Sequence, residues 1–350
     1  MTIRVGIIGF GLSGRVFHAP FVMNQADMTL SYICSSKPDE VHKYWPDVSV
    51  VNDADALIAG DEIDLVVITT PNALHFPQAK LALETGKHVL LEKPSVTEIE
   101  QIEELCRIAH DKGLIFTVYQ NRRFDGDFLR LKELLETREL GNLKQLESRF
   151  DRFRPVVQQR WREQPGVGTG IFWDLGPHVV DQALALLGTP DWLKASIDTL
   201  RDEGSAPDSF EIELGYGKTR VRLGASLFEA GEMRRYNARF DAGSWHCYGL
   251  DAQEDALRAG ELPGDEDFAS PEQTAVRYNA PSQDDISASQ EALKSGRYVD
   301  FYQQLTDAIQ GRGEAPVSSR HACELVYAMQ LAEQSAQSGE RKAWDYRSAF

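Results

Sequence analysis

Three side chains of this 350-residue chain are of the types that a proton-coupled oxidation needs. Lys93 stands just past an apolar run, Lys87 to Leu91, where a cation is poorly placed for bulk solvent and needs a partner or a task. Glu92 is its local partner, and Pro94 permits a cis bond that would turn the lysine inward toward a cleft. His178 follows Pro177, which fits the first turn of a helix running to Leu187 and stopped by Gly188. Near that positive helix end an imidazole is held neutral and can accept a proton. Asp174 lies four residues earlier, within reach of the same face, where it could orient or polarise the ring. Hydride transfer requires a base for the alcohol proton and a cation for the alkoxide-like oxygen. His178 and Lys93 supply both if the two halves of the chain line one cleft.

The cofactor for such chemistry has its own signature in Gly9-Phe10-Gly11-Leu12-Ser13-Gly14, set between the apolar run Ile3 to Ile8 and a helix-like segment, Arg15 to Met23. A Cβ at the first glycine would obstruct the turn, one at the second would hold the backbone off a pyrophosphate, and one at the third would wedge strand from helix. The helix start then offers its unpaired N–H groups to the phosphates. At the end of the second strand, where an acidic residue would bind a ribose 2′-OH, stand Ser35, Ser36 and Lys37. Two hydroxyls and a cation suit a phosphate, so NADP is preferred to NAD. Thr70, Pro71, Asn72 and His75 after the fourth strand reach the same edge, as do Glu92, Lys93 and, past the sixth strand, Asn121. All of these, with Gly9, Gly11, Leu12, Ser13 and Gly14, are expected cofactor contacts, though His75 could instead cap its own helix.

Asn121, Arg122, Arg123, Asp151 and Arg152 flank the junction between the halves and could hold polar substrate groups. The loop beyond, 153–170, carries Arg154, Arg160 and Arg162 with Trp161 between them. These arginines could steer an acidic or phosphorylated substrate or simply make salt bridges. No C-x-x-C pair or His spacing suited to zinc is present, so no metal is expected.

The elements that must position these groups read as α/β. Strands at Ile3–Ile8, Met28–Cys34, 48–51, Leu65–Ile68, 87–91 and 114–119 alternate with helices, including one over 97–112 with Thr97 and Glu100 as a capping box. That pattern is a doubly wound Rossmann domain, 1–121, followed by a substrate-binding and oligomerisation domain, 122–350. In the second domain a helix over 124–137 and strands over 143–152, 197–200, 209–216, 220–227, 234–240 and 245–248 predict an open, mostly antiparallel sheet. A sheet with an apolar face and no helices close in sequence must cover that face, and a second subunit is a common solution. The acidic stretch 251–273 reads as a mobile surface excursion or a lid, and helices over 298–310 and 319–338 finish the chain.

A formal net charge of −17 disfavours nucleic acid and anionic membrane surfaces as partners. Cys34, Cys106, Cys247 and Cys323 are widely spaced and read as reduced thiols. The first strand begins at the N-terminus with no signal-like segment, and no apolar run approaches the ~20 residues of a membrane span. A cytoplasmic location is the expectation.

With the glycine motif, Thr70-Pro71-Asn72 with His75, Glu92-Lys93-Pro94 and Asp174 with His178 in this order, the chain resembles the glucose-fructose oxidoreductase, inositol dehydrogenase and rhizopine catabolism (Gfo/Idh/MocA) family. The resemblance implies a Rossmann domain, a C-terminal sheet that builds a homodimer or homotetramer, and Lys93, Asp174 and His178 as the catalytic group. Phe17-His18-Ala19-Pro20, Asn121-Arg122-Arg123 and Asp151-Arg152-Phe153-Arg154-Pro155 look like the NADP-dependent scyllo-inositol dehydrogenase branch. The expected substrate contacts are Lys93, Arg123, Asp151, Arg152, Trp161, Asp174 and His178, in a dehydrogenase acting on a secondary hydroxyl or ketone of a sugar or cyclitol. Phe172-Trp173 departs from the smaller residues of many relatives and bears on pocket shape. The alternatives are a cofactor-binding regulator that has lost catalysis and a glycosidase that retains its cofactor.

Overall fold

The computed structural model describes residues 2–158, 163–265, 268–270 and 272–350. The first half builds β1 (Ile3–Ile8), β2 (Met28–Cys34), β3 (Ser49–Val51), β4 (Leu65–Ile68), β5 (His88–Leu91) and β6 (Phe116–Val118), all parallel, in the order β3-β2-β1-β4-β5-β6. Their crossovers carry α1 (Ala19–Met23), α2 (Pro38–Tyr44), α3 (Ala54–Ala59), α4 (His75–Glu84) and α5 (Ile99–Lys112). The central strands are largely apolar, as in a parallel sheet covered on both faces; Leu65, Val66, Val67 and Ile68 of β4 are all buried. Strand order reverses between β1 and β4, and their carboxyl ends are where such a sheet opens a crevice for a ligand.

The second half begins with α6 (Gly126–Thr137) and continues through β7 (Leu143–Arg149), α7 (Gly170–Leu187), β8 (Trp192–Asp198), β9 (Ser209–Tyr216), β10 (Thr219–Ser226), β11 (Arg234–Phe240) and β12 (Gly243–Tyr248). After α8 (Gln253–Ala259) come β13 (Thr274–Ser282), β14 (Asp285–Ala292), α9 (Tyr298–Ile309), α10 (Ser319–Ser338) and β15 (Lys342–Ala343). The nine strands pair in the order β14-β13-β12-β11-β7-β10-β9-β8-β15, antiparallel except for β7 beside β10. The fold is α/β: a Rossmann sheet plus an open, mostly antiparallel one.

α10 joins the two halves. Ala322, Cys323 and Val326 enter the core of the first sheet, while Leu325, Ala328, Met329 and Ala332 enter that of the second. A helix apolar on both sides must be buried on both sides. α9 also returns to the first core through Tyr298, Phe301, Tyr302 and Leu305.

Four expectations are corrected. α7 starts at Gly170, with Thr169 as N-cap, and holds Pro177 in its interior, so His178 lies well inside the helix. The capping box is absent: Glu98 occupies the N-cap of α5 without bonding the helix's own N–H groups, and Thr97 turns its hydroxyl to the Glu98 carboxylate at 3.4 Å. The apolar face of the nine-stranded sheet needs no second subunit, because Val179 and Val180 of α7 and Met329 of α10 lie in one core with Leu146, Phe210, Ile212 and Leu223 of the strands. Its other face presents Glu147, Glu211, Glu213, Arg222 and Arg239. Finally, the acidic excursion is anchored. Asp251 is buried and accepts from the Gly126 and Gln253 N–H groups at 2.8 and 2.9 Å, and Glu254 of α8 pairs with Arg122 at 2.5 Å.

Among the described residues no helix is long and apolar enough to cross a membrane.

Candidate functional site

The glycine turn closes β1 onto the first crossover, and its three glycines are required for different reasons. Gly9 has φ +98°, and a Cβ there would stand 2.7 Å from Thr69 Oγ1; a Cβ on Gly14 would stand 2.2 Å from the Gly9 carbonyl oxygen. Both are packing requirements within the protein. A Cβ on Gly11 would meet nothing within 4 Å. The space in front of Gly11 is the cradle that a close-approaching pyrophosphate would fill, so these residues fit a dinucleotide. The helix that follows starts at Ser13 as a π-helical segment, Ser13–His18, before α1.

That wider turn brings two side chains onto Glu92, at the end of β5. Ser13 donates its hydroxyl to the Glu92 carboxylate, and His18 Nε2 lies 3.1 Å from the same oxygen while its Nδ1 meets the Tyr302 hydroxyl at 2.6 Å. The second Glu92 oxygen accepts the Lys93 backbone N–H at 2.7 Å. Burial alone would raise this carboxyl; His18, Ser13 and Lys93 outweigh it and hold Glu92 down to about 2. Nothing local in the sequence marks His18, within Phe17-His18-Ala19-Pro20, or Tyr302 as partners of Glu92.

Held from below through Glu92, and followed by a cis bond to Pro94, Lys93 sends its ammonium across the junction. Nζ donates to the Asp174 backbone carbonyl at 2.9 Å and to its carboxylate at 3.3 Å. One turn further along α7, His178 is buried, and its Nδ1 has no hydrogen-bond partner among the described residues. Its pKa lies well below the ordinary imidazole value, because of burial first and then the charges of Lys93, Arg122, Arg235 and Arg152. The helix-end dipole expected from the sequence is not the cause, since the ring sits in the interior of α7. Phe150 faces the imidazole with ring centroids 6.3 Å apart, and the buried Arg235 stacks on Phe150 at 3.9 Å. Nothing in Arg234-Arg235 distinguishes it in the sequence from a surface pair.

The other anticipated residues divide into two groups. Ser35, Ser36 and Lys37 form an open turn past β2: the Ser35 hydroxyl accepts the Lys37 N–H at 3.1 Å, and the exposed Lys37 ammonium lies 3.5 Å from Glu40. Arg15 stacks over the Tyr44 ring at 5.0 Å and donates to its hydroxyl at 2.9 Å. Thr70 bonds Gln78 at 2.7 Å; Asn72 reaches the Gly168 carbonyl at 3.2 Å; Pro71 precedes them, and Asn121 is buried at the start of the turn after β6.

Three residues are instead taken up by the protein. His75 is buried, with Nδ1 2.9 Å from the Pro94 carbonyl and Nε2 2.8 Å from that of Thr70, so it ties two site loops together and is closed to a cofactor. Arg123 forks onto Asp181 with two bonds of 2.8 Å, and Asp151 is held by Arg149 and the Ser226 N–H. Both are therefore held by charges of the protein itself. Phe172 and Trp173 lie in the core of the second sheet. Trp161, Arg160 and Arg162 lie outside the described residues. No group of metal-ligating side chains occurs among the described residues.

Residues 3–120 match the oxidoreductase family with an NAD-binding Rossmann fold, and residues 128–246 match the GFO/IDH/MocA C-terminal domain. The oxidoreductase YdgJ of Escherichia coli (strain K12) is 39% identical over 96% of this chain and 96% of its own length. The scyllo-inositol 2-dehydrogenase (NADP(+)) IolW of Bacillus subtilis (strain 168) is 34% identical over 96% of this chain and 94% of its own. A solved oxidoreductase from Yersinia pestis superimposes with a TM-score of 0.95 at 36% identity, covering 99% of this chain and 98% of that one.

Proposed function

We propose a function from one premise: the chain belongs to the Gfo/Idh/MocA oxidoreductase family, whose first domain is an NAD-binding Rossmann fold. The reaction is hydride transfer between NADP and a secondary hydroxyl or ketone of a sugar or cyclitol, as the name of the IolW relative also suggests. The observation that carries it is the ammonium of Lys93, from one half, seated on Asp174 beside His178, from the other.

When bound, the nicotinamide accepts or returns the hydride. Everything else falls to the chain. Gly11 lets the backbone approach the pyrophosphate, Gly9 and Gly14 shape the turn that presents it, and Leu12 and Ser13 stand at the helix start. Ser35, Ser36 and Lys37, with Arg15 nearby, suit a 2′-phosphate. Lys93, fixed by Glu92 and Asp174, polarises the substrate oxygen and stabilises negative charge on it. His178, kept neutral by its surroundings, takes the hydroxyl proton on oxidation and returns it on reduction. Assembly through the charged face of the nine-stranded sheet and a cytoplasmic location, consistent with four free cysteines, complete the reading.

The test is a panel of polyols, aldoses and their ketones, assayed with NADP and with NAD by reduced-nicotinamide absorbance. NADP-linked turnover of a polyol or sugar is the expected result. Absence of turnover across the panel with both cofactors overturns the assignment.

A further inference from the structure

Among the described residues the Arg152 side chain has no hydrogen-bonded partner, in a protein rich in carboxylates. The chain carries 54 aspartates and glutamates against 37 lysines and arginines, and several described arginines around the site are paired. Arg122 pairs with Asp125 and Glu254, Arg123 with Asp181, Arg149 with Asp151 and Glu211, and Arg201 with Asp208 and Glu163. Arg152 is half-buried, yet its guanidinium makes no hydrogen bond or ion pair with any described residue.

The backbone shows which way it faces. Beyond β7 the chain stays extended along β10: the Phe150 N–H donates to the Gly224 carbonyl at 3.0 Å and the Arg152 N–H to that of Ser226 at 2.9 Å. Side chains two residues apart on an extended strand share a side. Phe150 faces His178, so Arg152 lies on the His178 side, while Asp151 between them points the opposite way, to Arg149. Asp174 is the leading opposite charge felt by Arg152, and Arg154 adds a second cation beside it. The Asp174 carboxylate already receives Lys93.

A partly desolvated guanidinium without a counter-ion is unfavourable, and its planar fork matches a carboxylate or phosphate. We propose that Arg152, with Arg154 beside it, seats an anionic group of the substrate, so that the preferred substrate is a sugar or cyclitol bearing a carboxylate or a phosphate. This rests on the oxidoreductase reading above and narrows its substrate class. Binding of that anion also offsets the cationic field around His178.

The experiment compares kcat/KM with NADP for scyllo-inositol and glucose, for gluconate and glucuronate, and for glucose 6-phosphate, in the wild type, Arg152→Gln and Arg152→Lys. The expected result is that one anionic class exceeds the neutral compounds by about tenfold or more, and identifies carboxylate or phosphate. Arg152→Gln then loses about tenfold or more of that preference, mainly through KM, and Arg152→Lys keeps part of it. NADP binding followed by fluorescence and an unchanged thermal midpoint establish that the variants are folded. Neutral compounds turned over as well as or better than both anionic classes, or a preference unchanged in Arg152→Gln, overturns the proposal and leaves the oxidoreductase reading standing. Absence of turnover of every compound, neutral or charged, overturns both.

Discussion

The Lys93 ammonium bonds both the main-chain carbonyl and the side chain of Asp174, 81 residues away, at 2.9 and 3.3 Å. Its two anchors belong to different cores: Lys93 follows β5 of the parallel sheet, and Asp174 rides on α7 against the antiparallel one. Their meeting defines the cleft, and α10, buried in both cores, keeps the halves in register.

Lys93→Met keeps an unbranched, flexible side chain and removes the ammonium. If Lys93 stabilises negative charge on the substrate oxygen, this variant loses about 10²–10⁴-fold in kcat, while NADP affinity changes little, because the glycine turn lies elsewhere. Steady-state rates and a cofactor titration check this. A variant with near-normal kcat removes Lys93 from the chemistry.

The pH profile follows from His178. Burial and four neighbouring cations hold its pKa well below the ordinary value of 6.5, so the neutral, proton-accepting form persists below neutrality. The acid limb of kcat/KM for oxidation is expected below about pH 6.5. Removing one of those cations, as in Arg152→Gln, favours the imidazolium and moves the limb upward. A limb at or above the ordinary value in the wild type contradicts the assignment.

Glu92 makes a separate prediction about stability. Its pKa is depressed from 4.5 to about 2, so its contribution is fully present above the unfolded value and is lost as pH falls through the folded one. The shift corresponds to about 3 kcal/mol. Glu92→Gln is therefore expected to be less stable than the wild type near neutrality, and the gap should close as pH is lowered from 4.5 toward about 2. Urea unfolding across that range measures it, and a gap that stays constant shows that the charge of Glu92 does not stabilise the fold.

How much of this the sequence reveals depends on whether the signal is local. Strands β1 and β4 are buried on both faces and read directly as apolar runs, and Gly9-Phe10-Gly11-Leu12-Ser13-Gly14 marks the turn. β13 and β14 escape such a reading because little of them is buried: β13 buries only Ala275 fully, and β14 is almost wholly exposed at the sheet edge. Pro177 reads as a helix start, but it is accommodated inside α7, whose start is marked only by Thr169. Long-range pairing is silent in sequence. Arg123 and Asp151 look as available as Arg152 until the fold brings Asp181 to one and Arg149 to the other.

The glycine turn separates folding from binding at single-atom resolution. Gly14→Ala would push a methyl group to 2.2 Å from the Gly9 carbonyl, so the backbone must shift, at a cost of about 1–3 kcal/mol in stability. Gly11→Ala adds a methyl group that touches nothing within 4 Å, so its unfolding free energy should stay close to that of the wild type. The same methyl stands where the pyrophosphate must approach, and NADP affinity is expected to fall about tenfold or more, equivalent to about 1.4 kcal/mol. Thermal or urea unfolding without cofactor, paired with an NADP titration, gives both quantities for each variant. A Gly11→Ala protein that binds NADP normally would mean that the cofactor phosphates lie elsewhere.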